Sequence, residues 1–292
     1  MRGRLGAGAA PLALLLGCAA PERDPAPVPV LAPPAASART YSGAIFVEGA
    51  LEQGGWLRGR VPPGTAGLSL GGARVPFDGE GRFFAGIDRD APVSLRITGT
   101  SAKGEALSRD LAVARREWQV ERVNVPLQGS VPSETYMAIR RPELAAIEGA
   151  RAQGSESGGW LQAFIWPVKG RISGRFGAQR IYQGVPGSYH SGLDIAPGAG
   201  VPYVAPADGV VVLAAGKPFS LEGKLVIIDH GMGLNSAFLH SSRLAVKEGD
   251  RVRQGQTIGY VGATGRVSGP HLHWSLKWQD ARLDPLLFLP PQ

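Results

Sequence analysis

The stretch "GPHLHWSLKW", residues 269–278, decides how the C-terminal half of this chain is read. Gly269-Pro270 is a turn signal, and the run after it has strand character. On a strand, residues i and i+2 point to the same face. His271 and His273 then face one way, toward something. The chain holds only three other histidines, His190, His230 and His240, so two at this spacing need a reason.

Working outward, short runs rich in β-branched and aromatic residues fill residues 158–292: "GRISGRFG", "GLDIA", "VPYVAPADGVVVLAAG", "KLVIIDHG", "NSAFLHSS" and "TIGYVG". In "YHSGLDIAPG", Leu193 and Ile195 flank Asp194, so on a strand they face the core while Asp194 faces the other side. His190 lies four residues earlier and shares that side. Imidazole nitrogen and carboxylate oxygen are good zinc ligands, and a catalytic zinc takes three protein ligands with one position left for water. His190, Asp194 and one of the two HLH histidines fill that set; spacing does not tell His273 from His271. Taken alone, H-x3-D is a weak signal that a surface hydrogen bond explains better; the combination with HLH is what points to a metal. His240, in "AFLHSS", is read on an alternating strand. His230, in "IDHGMG", is read as a structural histidine at a strand end.

His190 and Asp194 in "HSGLD", with "SGP" before "HLH", resemble the lysostaphin-type (LytM-type) zinc endopeptidases of peptidoglycan, the M23 family. The likeness runs over roughly residues 165 to 286 and takes in "VIIDHGMGL", "VKEGDRVRQGQTIGYVGATG" and the closing "LDP". It implies an antiparallel β, hybrid-barrel-like peptidase domain. It also implies one zinc ion held by His190, Asp194 and His273, with His240 and His271 as catalytic groups beside the water that zinc activates; which of the two is the general base stays open. The implied reaction is hydrolysis of peptide bonds in peptidoglycan cross-links or stems. The alternative is a non-hydrolytic or autoinhibited regulator of other wall hydrolases, with a regulatory protein partner; "GAQRIYQGVPGSY" before His190 is a segment able to cover the groove. Phe238 stands where the family usually has Tyr, so a hydroxyl is missing there. "PADGVVVLAAGK" and "VKEGDRVRQGQTIGYVG" also resemble parts of a biotinyl or lipoyl carrier domain, but the lysine such a hairpin tip presents is absent.

The remainder supports an exported protein. The 292 residues suit about two domains, and 42 glycines and 24 prolines favour short strands joined by turns. Arg2 and Arg4, then an apolar run from Leu5 to Leu16, form a secretory leader too short for a good membrane span. "LLGC" resembles a lipobox, which makes Cys18, the sole cysteine, the lipidation site and the mature N-terminus. The acyl chains would anchor the chain without a spanning helix. Ala19 after Cys18 points, by resemblance to sorting rules, to a periplasmic protein lipid-anchored to the outer membrane. The chain's formal charge is +7; without Arg2 and Arg4, 29 basic residues stand against 24 acidic, a mild excess. No basic stripe interleaved with aromatics is present, which argues against nucleic acid. The expected organisation is a lipoprotein signal peptide (1–18), a Pro/Ala-rich tether (19–40), a β-sandwich-like accessory domain (41–128), a helical connector (129–157) and the peptidase domain (158–292). In the accessory domain "GAIFVEG", "GWLRGRV", "GLSLGGARV", "GRFFAGI", "VSLRITGT" and "EWQVERVNV" read as its short strands; it shows no chemistry and reads as a spacer or binding module. In the connector, Ser133-Glu134 starts one helical turn and Pro142-Glu143 a second.

Overall fold

Residues 43–125 and 133–292 are described by a computed structural model. Cys18, the leader, the tether and the first residues of the connector lie outside them. Strand Leu272–Trp278 is the centre of the C-terminal half. Leu272, Trp274, Leu276 and Trp278 are at most 3% exposed, whereas His273, Ser275 and Lys277 are half-buried on the opposite face. That two-residue alternation makes one face of the strand core and leaves the other for chemistry.

Around this strand the chain builds an eight-stranded antiparallel sheet. Leu234–Ser241 pairs along one side, followed outward by Gly223–Asp229, Gly209–Phe219 and Arg251–Val252. Along the other side lie Leu193–Ala196 and Ala281–Leu283, with Arg171–Gly174 beyond the former. The sheet is covered on both faces. Val226, Ile228, Phe238 and Trp274 enter the main core, while Leu225, Ile227 and Ala237 meet Ile147 and Ala150 of the helix Glu134–Ala152. Strand Gly223–Asp229 accordingly reads as a nearly continuous apolar run.

The helix is continuous, which differs from the two starts expected at Ser133 and Pro142. Ser133 caps it, its hydroxyl accepting from the Tyr136 amide at 3.1 Å. Pro142 sits inside and removes one backbone donor. Ion pairs on either side hold the helix through that defect. The Arg140 guanidinium donates twice to Glu222 at 2.7 Å and once to Glu143 at 2.9 Å. Glu143 in turn accepts from the Ser220 amide and hydroxyl, both at 2.6 Å.

The N-terminal half is two small antiparallel sheets. One contains Phe46–Ala50, Trp56–Arg60 and Arg82–Gly86; the other contains Ala73–Arg74, Thr65–Leu70, Ser94–Ser101 and Ala106–Ala112. Leu57, Phe83 and Ile97 are fully buried between them. This is the sandwich-like, mainly β architecture expected. Ala106–Ala112 is a strand the pattern did not reveal, because its charged residues leave only Leu111 fully buried. "EWQVERVNV" departs from expectation. Its strand Val120–Val123 joins neither sandwich sheet and pairs in parallel with Gln179–Tyr182, just upstream of His190. Its side chains are mostly exposed, so the backbone ladder and the Arg180–Glu121 contact at 2.7 Å decide its partner.

One core cluster runs from the sandwich into the large sheet. Trp56 packs on Phe84 and Phe288, and its indole N–H donates to the Leu287 carbonyl at 2.9 Å. Gly86 faces Trp278 and Leu283 so closely that an added Cβ would lie 2.8 Å from Leu283. Asp284, 2% exposed, receives Arg116 at 2.8 Å.

Candidate metal centre

Four chain segments meet at the N-terminal end of strand Leu272–Trp278. Asp194 is the direct cross-strand partner of His273, and Leu239 is its partner on the other side. His240 therefore stands next to that row. His190 comes from the turn before Leu193–Ala196. His271 precedes the strand and bridges to Gly262. Leu193 and Ile195 are fully buried and Asp194 is not, as the strand reading of "GLDIA" requires.

Asp194 Oδ1 is the focus. It lies 3.0 Å from His190 Nε2, 2.8 Å from His273 Nδ1 and 3.7 Å from His271 Nε2. His190 Nε2 and His273 Nδ1 are 3.2 Å apart. Among the described residues, His190, Asp194 and His273 form a cluster able to hold a metal ion. The proton inventory supports a cation there. His190 Nδ1–H donates to the Arg175 carbonyl at 3.0 Å, so in the neutral ring Nε2 turns a lone pair toward a carboxylate oxygen. Two acceptors at that distance need a positive charge between them. Burial pushes the Asp194 carboxyl up, but His190 and His273, which donate to it in their protonated forms, outweigh that and hold the group below the usual carboxylate range. Burial likewise depresses His190, but the bond and charge of Asp194 raise it overall. For the less exposed His273 burial wins, and it is lowered. The triad thus keeps its carboxylate ionised, which suits a divalent cation of the zinc type.

His240 and His271 are placed differently. His240 Nδ1–H donates to the Thr264 carbonyl at 2.9 Å, and His271 Nδ1–H to the Gly269 carbonyl at 2.9 Å. Each ring is fixed in the tautomer whose Nε2 is free. Their centroids are 5.1 Å apart, and His240 is 6.2 Å from His273. Burial drives His240 down to about 4, keeping it neutral at ordinary pH. The alternation expected around His240 is broken. Residues 234–238 are all buried, and the register shifts between Lys224 and Val226, opposite Leu239 and His240. His240 also has a left-handed backbone, φ 67°. A bulge of this kind re-aims one side chain, here toward the cluster.

Sequence matching agrees with this geometry: peptidase family M23 matches residues 188–285, the span that holds all five of these groups. This chain carries an M23 peptidase domain. Among curated relatives, a peptidoglycan DD-endopeptidase, ShyA of Vibrio cholerae, is 41% identical over 38% of this chain and 26% of its own length. The murein hydrolase activator NlpD of Salmonella dublin is 31% identical over 57% of this chain and 42% of its own. The chain thus spans well under two thirds of either relative. The crystal structure of an M23-family protein from Pseudomonas aeruginosa superposes with a TM-score of 0.61 at 28% identity, covering 82% of this chain and 94% of that one.

Other residues of the M23 domain fall outside the cluster. His230 is wholly buried. Its Nδ1–H donates to the Asp208 carbonyl and its Nε2 accepts from Ser236, both at 2.7 Å. Phe238 is also fully buried, stacked between Tyr203 and Trp274, so a hydroxyl at this position would point into the core rather than at the site. The segment before His190 is a hairpin, Gln179–Tyr182 with Val185–Pro186. With Gln119 and Glu121 it walls a polar cavity of about 690 Å³ that reaches His190. Sequence reading missed the groups that hold the ligands still. These are the carbonyls of Arg175, Thr264 and Gly269, and two glycines. A Cβ on Gly174 would lie 2.4 Å from Asp194 Oδ2, and one on Gly192 would lie 2.7 Å from His273 Nε2. Backbone carbonyls carry no side-chain signature, so nothing in the pattern marks them.

Proposed function

We propose that this chain is a zinc-dependent endopeptidase that hydrolyses peptide bonds in peptidoglycan cross-links or stem peptides. The observation that carries the reading is the division of labour among five side chains. Three donors converge on one point, and two imidazoles beside them have their Nδ1–H tied to backbone carbonyls. His190, Asp194 and His273 would hold the zinc. When bound, it supplies Lewis acidity and lowers the pKa of a water molecule. His240 and His271, each tied through Nδ1–H to a backbone carbonyl, turn Nε2 outward, fit to take a proton from water and return it to the leaving amine. Their tethers keep both rings oriented throughout. Likeness to a named peptidoglycan endopeptidase supports the substrate class. The leader, Cys18 and the tether support a periplasmic protein lipid-anchored to the outer membrane, close to that polymer.

A second reading is a regulator of other hydrolases, favoured by likeness to a named murein hydrolase activator. One experiment separates the two. The zinc-loaded chain is incubated with purified, cross-linked peptidoglycan, and the fragments are weighed by mass spectrometry. The endopeptidase reading expects cross-linked fragments to disappear, and chelator or His271→Ala to prevent it. One zinc per chain without cleavage would favour the regulator.

A further inference from the structure

Between the helix Glu134–Ala152 and the outer face of the large sheet lies a cavity of about 230 Å³. Its floor continues the face that carries the metal cluster. Ser275 is two residues along the strand from His273, about 7 Å on by strand geometry. Leu239 is the cross-strand partner of His273, and Ser191 follows His190. All three line the cavity. Four cationic side chains line it as well, Arg140, Arg151, Lys277 and Arg282, against one carboxylate, Glu222. That carboxylate is already held at both oxygens by Arg140.

Arg151 is the unusual member. Its Nε is buried without a hydrogen-bond partner, and the guanidinium makes no ion pair within 4.0 Å among the described residues. Burial lowers its pKa, the charge of Arg282 lowers it further, and only Glu222 opposes them. A cation left in this state costs stability unless something completes it. Among the described residues Lys277 has one ionic partner, Asp280, exposed and 3.4 Å away. Arg282 stacks over Tyr189, the residue before His190. Among the described residues, then, Arg151 and Arg282 form no ion pair and Lys277 has one long, exposed partner, so the cavity on the metal-bearing face carries an excess of positive charge.

We propose that this cavity is a subsite for a carboxylate of the substrate peptide, held by Arg151 and Lys277 while the scissile bond lies at the cluster. Arginine and lysine together suit a carboxylate, by paired hydrogen bonds and by charge. The helix, outside the matched family segment, thereby becomes part of the substrate site. The inference rests on the peptidoglycan reading and adds a determinant of which peptide is taken.

The test measures equilibrium binding by calorimetry to the full, zinc-loaded chain. The probes are a synthetic stem tetrapeptide with free carboxylates and the same peptide fully amidated. The free acid is expected to bind about ten-fold or more tightly, the scale of a charge-assisted hydrogen bond. Arg151→Gln and Lys277→Gln should each remove most of that preference, with zinc content unchanged. The melting temperature of unliganded Arg151→Gln should hold or rise, because a buried unpaired charge is gone. Equal binding of acid and amide, or a preference that survives both substitutions, would overturn the proposal. So would complete displacement of the peptide by equimolar inorganic phosphate, which would assign the cavity to free anions. A chain that keeps the acid preference but never cleaves peptidoglycan would defeat the hydrolytic reading alone.

Discussion

At His230, burial and two hydrogen bonds leave room for one protonation state. Trp274 Nε1–H donates to the Ser236 oxygen at 3.2 Å, the Ser236 hydroxyl donates to His230 Nε2, and His230 Nδ1–H donates to the Asp208 carbonyl. A proton on Nε2 would break that chain, and burial pushes the group from 6.5 down to about 4. The folded state therefore prefers the neutral ring. Its contribution is complete above pH 6.5 and is lost as pH falls toward 4, by up to about 3 kcal/mol. Denaturant titrations between pH 7 and 4 should show the decline, and His230→Asn should flatten it. The two groups of site histidines separate by another measurement. His190→Ala, Asp194→Ala and His273→Ala should lose both zinc and activity. His240→Ala and His271→Ala should keep zinc and lose about 10²- to 10⁴-fold in rate, the usual worth of acid–base help. Metal analysis that found His271→Ala empty and His273→Ala loaded would invert the assignment. At this scale the candidate side chains were legible, because histidines are few and H-x3-D occurs once, although spacing alone did not tell His273 from His271. What was not legible is the pairing of Asp194 with His273 across 79 residues, which only strand register creates.

At the scale of elements, the informative departures are Pro142 and the strand Val120–Val123. Proline ordinarily ends a helix, and the sequence accordingly suggested two pieces. Arg140 and Glu143 override that preference by gripping Glu222 and Ser220 on both sides of the defect. Pro142→Ala should restore the missing N–H donor and raise stability by about 1–3 kcal/mol, read as a higher unfolding midpoint. The strand Val120–Val123 was visible as a strand but not by partner. Its β-branched residues mark extended backbone, while its exposed side chains carry no face pattern to choose a neighbour. Ala106–Ala112 escaped for the related reason that charged residues interrupt its apolar alternation. Strands with one deeply buried face, such as Leu272–Trp278, were readable because burial writes the period into the sequence.

At the scale of the molecule, sandwich and large sheet share a core, and polar groups at the junction are committed across it. Arg58 donates to the carbonyls of Leu161 and Gln162, and Arg116 reaches Asp284. Calorimetry of the full chain should therefore show one cooperative unfolding transition for the described residues. Arg116→Met should strand a buried carboxylate and cost about 3 kcal/mol or more. A separate early transition for the sandwich, unaffected by that change, would contradict the shared core.

The glycines behind the cluster carry a further implication, for inheritance rather than for chemistry. No atom of Gly174 would bind the ion, yet a single added methyl there collides with Asp194, and Gly192 guards His273 in the same way. Gly174→Ala should cost about ten- to a hundred-fold in zinc affinity, as loss of outer support does at other metal sites. A descendant gene could thus fall silent while every ligand codon stayed intact. Reading such a descendant by its histidines and aspartate would count it as alive; two codons for the smallest residue would record that it was not.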